Sequence, residues 1–211
     1  MKIGIDIDGV ITDMDLWFKS YKMTVKDLGG KAVDAELLQY FFKDGMMQKT
    51  LSNLLWGVTE EEYRQHLSSN LYKYYTCQKP RAGMVELLHN LRRAGNEVVI
   101  VTARIDGSYE SQYVMKRHKG TFKDFTRHYL EKNGIEFDNY YYGVVDKSKV
   151  VEAEHIDVMV DDYIKNLRDI GNKVPTCRLI QYKHKYNEDE CDTALKIEPV
   201  HTMEELATLL K

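Results

Sequence analysis

The sequence predicts an α/β protein whose strands form a parallel sheet covered by helices on both faces. From Pro80 onward, apolar runs of strand length alternate with amphipathic helical patterns, which is typical of successive βαβ units. The run at residues 97–102 is apolar and β-branched, which indicates a strand buried on both faces. Between the first strand and Pro80 the pattern is helical instead, so residues 14–79 are predicted to be a small helical insertion.

Each element has its own local signal. Residues 2–7 predict the first buried strand, and Thr59 to Glu62 form a capping box that predicts a helix start. Asp34 can cap another helix that ends near Gly45. Beyond these, the predicted elements are a helix opened by Pro80 and closed by Gly95, a strand at 97–102, a long connection at 105–120, a helix at 122–133 ending at Gly134, a strand at 140–145, a short helix at 148–154, a strand at 157–160, a helix at 164–170 closed by Gly171, a strand at 176–181 and a final helix capped by Thr202.

The composition excludes several classes of protein. The 211 residues are 43% hydrophobic and 30% charged, with a net charge of −3, which gives no basic field for a nucleic-acid polymer. No apolar run approaches the roughly 20 residues of a membrane helix. Two acids stand where a signal peptide would be apolar, and the three cysteines have no metal-ligand spacing. These features predict a cytoplasmic protein with reduced thiols and no membrane partner, and they leave open whether it forms a homodimer.

Polar residues follow three of the predicted strands. Asp6 and Asp8 end the first strand, Thr102 and Arg104 follow the second, and the pair at 161–162 follows a later one. The carboxyl ends of parallel strands share one edge of a sheet, so these residues can converge there. Several carboxylates in one place favour Mg²⁺, which prefers oxygen ligands. Alone, Asp161 and Asp162 could equally be a helix N-cap, and their pairing with the first-strand acids favours the metal site.

These residues also resemble the motifs of a known family. Residues 6–13 (DIDGVITD) resemble the first motif of the haloacid dehalogenase (HAD) superfamily, residues 101–104 (VTAR) the second, and residues 160–163 (VDDY) the fourth, while Lys147 lies where the third-motif lysine is expected. The resemblance implies a three-layer, Rossmann-like HAD core with a parallel sheet, made of residues 1–13 and 80–211. It also implies a small helical cap at 14–79, inserted after the first strand.

The resemblance implies Mg²⁺-dependent phosphoryl transfer through an aspartyl-phosphate. Asp6 would be the nucleophile and a metal ligand, and Asp8 would be the general acid and base, with its backbone carbonyl on the metal. Asp162 matches the acidic metal ligand of the fourth motif, with Asp161 beside it. Lys147 would hold the phosphoryl oxygens, with Lys149 as its competitor. Thr102, Ala103 and Arg104 would bind the substrate.

Two polar side chains and a group of aromatic residues keep alternative interpretations. Arg104 could bind a second anionic group of the substrate or form a surface salt bridge. Asn166 could point toward the site or lie on a solvated helix face. Aromatic residues of the insertion could stack on a leaving group or form the insertion's own core, and Phe18, Phe41 and Phe42 are the predicted contacts of a leaving group.

The helical insertion guides the prediction of the substrate, a small phosphorylated molecule. It resembles the small cap of the 5′(3′)-deoxyribonucleotidases and of related bacterial nucleotidase-like proteins, which implies activity on (deoxy)nucleoside monophosphates or related esters. A phosphatase of sugar or polyol phosphates is the alternative, because residues 6–13 also resemble the start of the 3-deoxy-octulosonate 8-phosphate phosphatases. A HAD fold kept as a non-catalytic binding module is the third hypothesis, and the intact acidic motifs oppose it.

Overall fold

The computed structural model describes residues 1–29, 59–106, 115–116 and 120–211. The strands of this part of the chain are β1 (Lys2–Ile5), β2 (Glu97–Val101), β3 (Asn139–Tyr141), β4 (Val158–Asp161), β5 (Arg178–Tyr182) and β6 (Glu198–Val200). The helices are α1 (Asp15–Asp27), α2 (Glu60–Cys77), α3 (Met84–Arg93), α4 (Phe122–Lys132), α5 (Lys147–Ala153), α6 (Ile164–Lys173) and α7 (Met203–Leu209).

The six strands form one parallel sheet in the order β3-β2-β1-β4-β5-β6. The first strand therefore lies in the middle, with Ile5 paired to Ile100 of β2 on one side and to Val160 of β4 on the other. The order reverses beside β1, and in such sheets the crevice at the carboxyl ends of the strands next to the reversal is the usual place for a ligand.

Helices cover both faces of the sheet. Alternate residues of each strand point to opposite sides, so each buried strand needs apolar partners on both faces. In β2, Val98 and Ile100 pack with α3, α7 and the second half of α4, whereas Val99 and Val101 pack with α5 and α6. The predicted three-layer α/β class is confirmed. None of the described helices is long and apolar enough to cross a membrane.

The chain divides into two compact units, one of residues 1–13, 79–105 and 127–211, and one of residues 14–78 and 106–126. The sheet belongs to the first. In the second, α1 packs on α2, and Asn70 of α2 donates hydrogen bonds to Thr24 (3.0 Å) and Asp27 (3.1 Å). The sequence assigned residues 106–126 to the core rather than to the insertion. The predicted limits of core and cap stay a prediction.

Most of the local signals correspond to elements. Thr59 forms both halves of its capping box with Glu62, and Thr202 accepts a hydrogen bond from the Glu205 N–H at the start of α7. Three boundaries differ by three or more residues, and one strand was not predicted. Pro80 forms a β-bridge with Thr12, and α3 begins only at Met84, after Gly83 in a left-handed conformation. The predicted strand at 140–145 is only Asn139–Tyr141, β6 was not predicted, and α6 continues through Gly171 to Lys173.

Gly171 lies inside α6 because its missing side chain lets the helix approach β5. A Cβ at this position would come within 2.9 Å of a methyl group of Leu179. The predicted helix that Asp34 caps and that ends near Gly45 lies outside the described residues, as does most of the long connection at 105–120.

Candidate active site

Three carboxylates meet at the carboxyl edge of the sheet, where β1 and β4 end side by side. The backbone N–H of Asp6 donates to the carbonyl of Val160 (3.0 Å), which extends the β1–β4 pairing by one residue and brings Asp6 beside Asp161. One carboxylate oxygen from each of Asp6, Asp161 and Asp162 lies within 4.8 Å of the others, and all three residues are buried. The structure thus brings together the acids that the sequence placed at separate strand ends.

Lys147 bridges two of these acids. Its ammonium lies 2.8 Å from Oδ1 of Asp6 and 2.7 Å from Oδ2 of Asp161, and the residue is only 2% exposed. Burial acts against the charged ammonium, but Asp161 and Asp6 outweigh it and hold the pKa of Lys147 above its usual value. Lys149, the competing lysine, is exposed two residues farther along α5. The geometry therefore favours Lys147 over Lys149 as the lysine that pairs with the acids.

Asp161 and Asp162 are bound in different ways. Asp161 accepts hydrogen bonds on both oxygens, from the N–H of Tyr163 (2.9 Å), the amide of Asn166 (3.0 and 3.2 Å) and Lys147. Asn166 therefore points toward the site. Asp162 accepts a hydrogen bond on Oδ2 from the hydroxyl of Tyr186, and no described residue donates to its Oδ1. Asp162 thus keeps an oxygen for a metal, whereas Asp161 supports Lys147 and the start of α6.

The site carries more negative than positive charge. Burial raises the pKa of Asp6 to about 7 against the opposing effect of Lys147, and the neighbouring Asp161 and Asp8 raise it further. Burial, with Asp161 and Asp6, also raises the pKa of Asp162 well above its usual value. Three carboxylates and one ammonium leave two negative charges when all are ionised, so a divalent cation would balance them. The all-oxygen donor set is the chemistry that Mg²⁺ prefers.

Asp8 forms a two-pronged ion pair with Arg104, the last residue of the predicted second motif. The guanidinium donates from Nε to Oδ2 (2.9 Å) and from Nη2 to Oδ1 (2.6 Å), and Arg104 is buried although it follows a strand end. The hydroxyl of Thr102 accepts from the Arg104 N–H (3.2 Å), while Ala103 is exposed between them. Arg104 is therefore no surface salt bridge; it holds the carboxylate two residues beyond Asp6.

The turn after β1 is held by residues that the sequence did not single out. Gly9 adopts a left-handed conformation (φ +83°), and a Cβ there would lie 2.3 Å from Oδ2 of Asp162. Arg81 donates to the carbonyls of Gly9 (3.3 Å) and Val10 (3.2 Å), and Nε2 of His184 donates to that of Gly9 (2.6 Å). Nothing local in the sequence indicates that His184 and Tyr186 return to this turn.

The predicted contacts of a leaving group are only partly described. Phe18 lies in α1, in the second unit, where its ring makes an edge-on contact with Trp17 at 5.3 Å between centroids. Phe41 and Phe42 lie outside the described residues. The role of these three aromatic residues stays a prediction.

The fold matches solved structures over nearly its whole length. Two have activities assigned by prediction: a β-phosphoglucomutase from Thermotoga maritima (TM-score 0.67, 16% identity, 99% of this chain and 97% of that one) and a phosphoglycolate phosphatase from Haemophilus somnus (0.66, 13%, 99% and 97%). A third is a haloacid dehalogenase-like hydrolase from Streptococcus pneumoniae (0.64, 13%, 100% and 98%). The chain has a HAD-like fold. No protein-family model matches the sequence, and no curated protein matches it.

Proposed function

We propose that this protein is a Mg²⁺-dependent phosphomonoester hydrolase that acts through an aspartyl-phosphate on Asp6. The observation that carries the proposal is the buried cluster of Asp6, Asp161 and Asp162 around the ammonium of Lys147 at the carboxyl edge of the sheet. The similarity of the fold to HAD-like hydrolases supports it.

Asp6 and Asp162 would hold Mg²⁺, together with the backbone carbonyl of Asp8. The bound cation would neutralise phosphoryl oxygens that the carboxylates otherwise repel. Lys147 already pairs with Asp6, so its ammonium is placed to attract a phosphoryl oxygen beside the nucleophile. Asp161 would keep Lys147 in place rather than bind the cation, because hydrogen bonds occupy both of its oxygens.

In the first step, a carboxylate oxygen of Asp6 attacks phosphorus and the bond from phosphorus to the leaving oxygen breaks. That oxygen takes the electron pair and a proton from Asp8, which enters this step as the carboxylic acid and leaves it as the carboxylate that pairs with Arg104. In the second step, Asp8 removes a proton from water as the water attacks phosphorus. The bond between phosphorus and Asp6 then breaks, which releases phosphate and regenerates the carboxylate. Arg104 keeps the Asp8 carboxyl group in a fixed position between the two proton transfers.

For the substrate, we propose a 5′-nucleotidase-type activity on (deoxy)nucleoside monophosphates, supported by the resemblance of the sequence to that family. Sugar and polyol phosphates are the second candidate. The structure assigned as a β-phosphoglucomutase from Thermotoga maritima supports sugar phosphates as well as the sequence resemblance supports nucleotides.

Release of inorganic phosphate from a panel of nucleotides, sugar phosphates and polyol phosphates would test both the phosphatase activity and the substrate class. We expect turnover that requires Mg²⁺ and stops with a chelator. Turnover of a sugar or polyol phosphate without any nucleotide would overturn the nucleotidase proposal and leave the phosphatase proposal standing.

The Asp6→Asn variant tests the chemistry itself. We expect it to release no phosphate while it keeps the circular dichroism spectrum and melting behaviour of a folded protein, because an amide cannot serve as the nucleophile. Mg²⁺-dependent turnover that persists in this variant would rule out the aspartyl-phosphate route.

A further inference from the structure

The last part of β5 and the segment that follows it support Asp162. The carbonyl of Asp162 accepts hydrogen bonds from the amides of Asn187 (2.7 Å) and Gln181 (3.2 Å), both of which are almost completely buried. The ammonium of Lys183 donates to the carbonyls of Asn187 (3.0 Å) and Glu190, which closes the segment on itself. Gln181 of β5 and Asn187 of this segment thus hold the backbone carbonyl of Asp162 in place.

Tyr186, within the same segment, fixes the side chain of Asp162. Its hydroxyl donates to Oδ2, its ring is 5% exposed, and it stacks on the imidazole of His184 with centroids 4.8 Å apart and planes 9° from parallel. Gly9 lies close to the same oxygen, since a Cβ there would come within 2.3 Å of it. Oδ2 therefore has both Tyr186 and Gly9 beside it.

Oδ1 is the oxygen of Asp162 that accepts no hydrogen bond from a described residue, which leaves it for a cation. A carboxylate held in this way can bind a metal through Oδ1 but cannot turn to present both oxygens. This restriction separates two common divalent cations, because Mg²⁺ takes six ligands in near-ideal octahedral geometry, whereas Ca²⁺ takes six to eight and often binds a carboxylate through both oxygens.

We propose that Tyr186 is a positioning residue that restricts Asp162 to one metal-binding oxygen and thereby makes the site select Mg²⁺ over Ca²⁺. The inference rests on the proposed function in needing a metal at Asp6 and Asp162. It goes further in assigning the selectivity to a tyrosine outside the catalytic motifs.

Direct binding of Mg²⁺ and of Ca²⁺, measured by calorimetry without substrate, tests this in the Tyr186→Phe variant. We expect the affinity for Mg²⁺ to fall about tenfold, as is typical for the loss of a group that orients a metal ligand. We expect the affinity for Ca²⁺ to stay the same or to rise, so that the ratio of the two dissociation constants shifts toward Ca²⁺ by tenfold or more.

The Tyr141→Phe variant is the matched control. It also removes a tyrosine hydroxyl that donates to a carboxylate, that of Glu154, but on β3 at the edge of the sheet. Both affinities should be unchanged there. Thermal melting in chelator checks that each variant is folded, and Tyr186→Leu, which also lacks the hydroxyl, provides a second variant if the first melts early.

An unchanged ratio of affinities in folded Tyr186→Phe, including an equal loss of both cations, would overturn the proposal. The outcome is separable from the proposed function, because wild-type protein that binds Mg²⁺ but releases no phosphate contradicts the hydrolase alone. Wild-type protein that binds neither cation would contradict both.

Discussion

Arg104 has the clearest unexpected contact of the candidate site. A guanidinium after β2 was predicted either to bind substrate or to lie at the surface, and instead it binds both oxygens of Asp8 while being almost fully buried. A two-pronged pair of this kind fixes the direction of a carboxylate as well as its charge. Since Asp8 is the proposed acid and base, its orientation toward the leaving oxygen depends on Arg104.

We expect the Arg104→Gln variant to lower kcat for an alkyl phosphate by about 10- to 100-fold, a fraction of what general acid catalysis contributes. The KM should change by less than about twofold. The loss should be smaller for p-nitrophenyl phosphate, whose leaving group needs little protonation. Steady-state kinetics on both esters checks this.

Arg92→Gln is the control, because Arg92 also binds both oxygens of an aspartate, Asp138, but at an exposed position away from the cluster. Its kinetics should match those of the wild type. A raised KM with unchanged kcat in Arg104→Gln would instead assign the guanidinium to substrate binding.

His184 is predicted to make stability depend on pH. Burial and the nearby Arg81 lower the pKa of His184 to about 4, against the opposing effects of the Gly9 carbonyl and Asp13. Tyr182 and Tyr186 pack against its ring. In the unfolded chain the imidazole titrates near pH 6.5. Between these two pH values the unfolded chain takes up a proton that the folded protein does not. The contribution of the neutral ring to the free energy of unfolding is therefore fully present above pH 6.5 and is lost as the pH falls from about 6.5 to 4.

Chemical denaturation of the wild type and of His184→Gln at several pH values measures this effect. The wild type should lose up to about 1.4 kcal/mol per pH unit more than the variant within that window. The quantity to compare is the difference in the free energy of unfolding between the two proteins at each pH. Asp6, whose pKa is raised, changes the stability of both proteins with pH in the opposite direction, and the comparison removes its contribution. Parallel curves for the two proteins would show that His184 is not held neutral.

At the level of helices, the start of α7 offers a direct test of a capping signal. Thr202 accepts the N–H of Glu205 at 3.1 Å in an exposed position. Removing such a cap typically costs about 1 kcal/mol. We expect Thr202→Ala to lower the free energy of unfolding by about this amount without changing the affinity for Mg²⁺.

Thr208→Ala, in the last part of the same helix, is the matched control. Its hydroxyl donates only to the carbonyl of Glu204 (2.8 Å), and alanine has the higher helix propensity. Equilibrium denaturation should therefore find Thr208→Ala neutral or slightly more stable than the wild type. Equal losses in both variants would show that the Thr202 cap is not what stabilises the start of α7.

Helix starts were easier to predict than helix ends, because the two depend on different information. The capping box at Thr59 and the cap at Thr202 are each completed within four residues, so a local pattern suffices. Gly95 and Gly134 follow helix ends in left-handed conformations as predicted, with φ of +83° and +75°. Gly171 has the same residue type but lies inside α6, since the close approach of Leu179 from β5 decides its environment.

Across the whole chain, the predicted site depends on one topological feature. A parallel sheet with β1 in its centre brings the ends of β1, β2 and β4 to a common edge. Asp161 therefore lies near Asp6, which precedes it by about 155 residues in the chain, and Arg104 binds Asp8 across a separation of 96 residues. Alternation of strands and helices was enough to predict this edge. The supporting residues Arg81, His184 and Tyr186 could not be predicted from this alternation, because loop conformation rather than strand order brings them to Gly9.

The excess negative charge of the site links metal binding to the stability of the molecule. Burial of Asp6, Asp161 and Asp162 with a single ammonium opposes folding unless protons or a cation offset the repulsion, and the raised pKa of Asp162 reflects this. A cation that binds only the folded state stabilises it, by about 2.7 kcal/mol at a hundredfold excess over its dissociation constant. We therefore expect the melting temperature of the wild type to rise with Mg²⁺.

Asp162→Asn separates the two effects, because it removes a buried negative charge together with a metal ligand. In chelator the variant should melt at or above the temperature of the wild type, and Mg²⁺ should raise its melting temperature little or not at all. Differential scanning calorimetry with and without Mg²⁺ measures both. A variant that is less stable than the wild type in chelator, yet equally stabilised by Mg²⁺, would show that Asp162 supports the fold rather than the metal. The expected result would instead mean that the acidic edge of the sheet lowers the stability of the metal-free fold because its carboxylates are arranged to bind a cation.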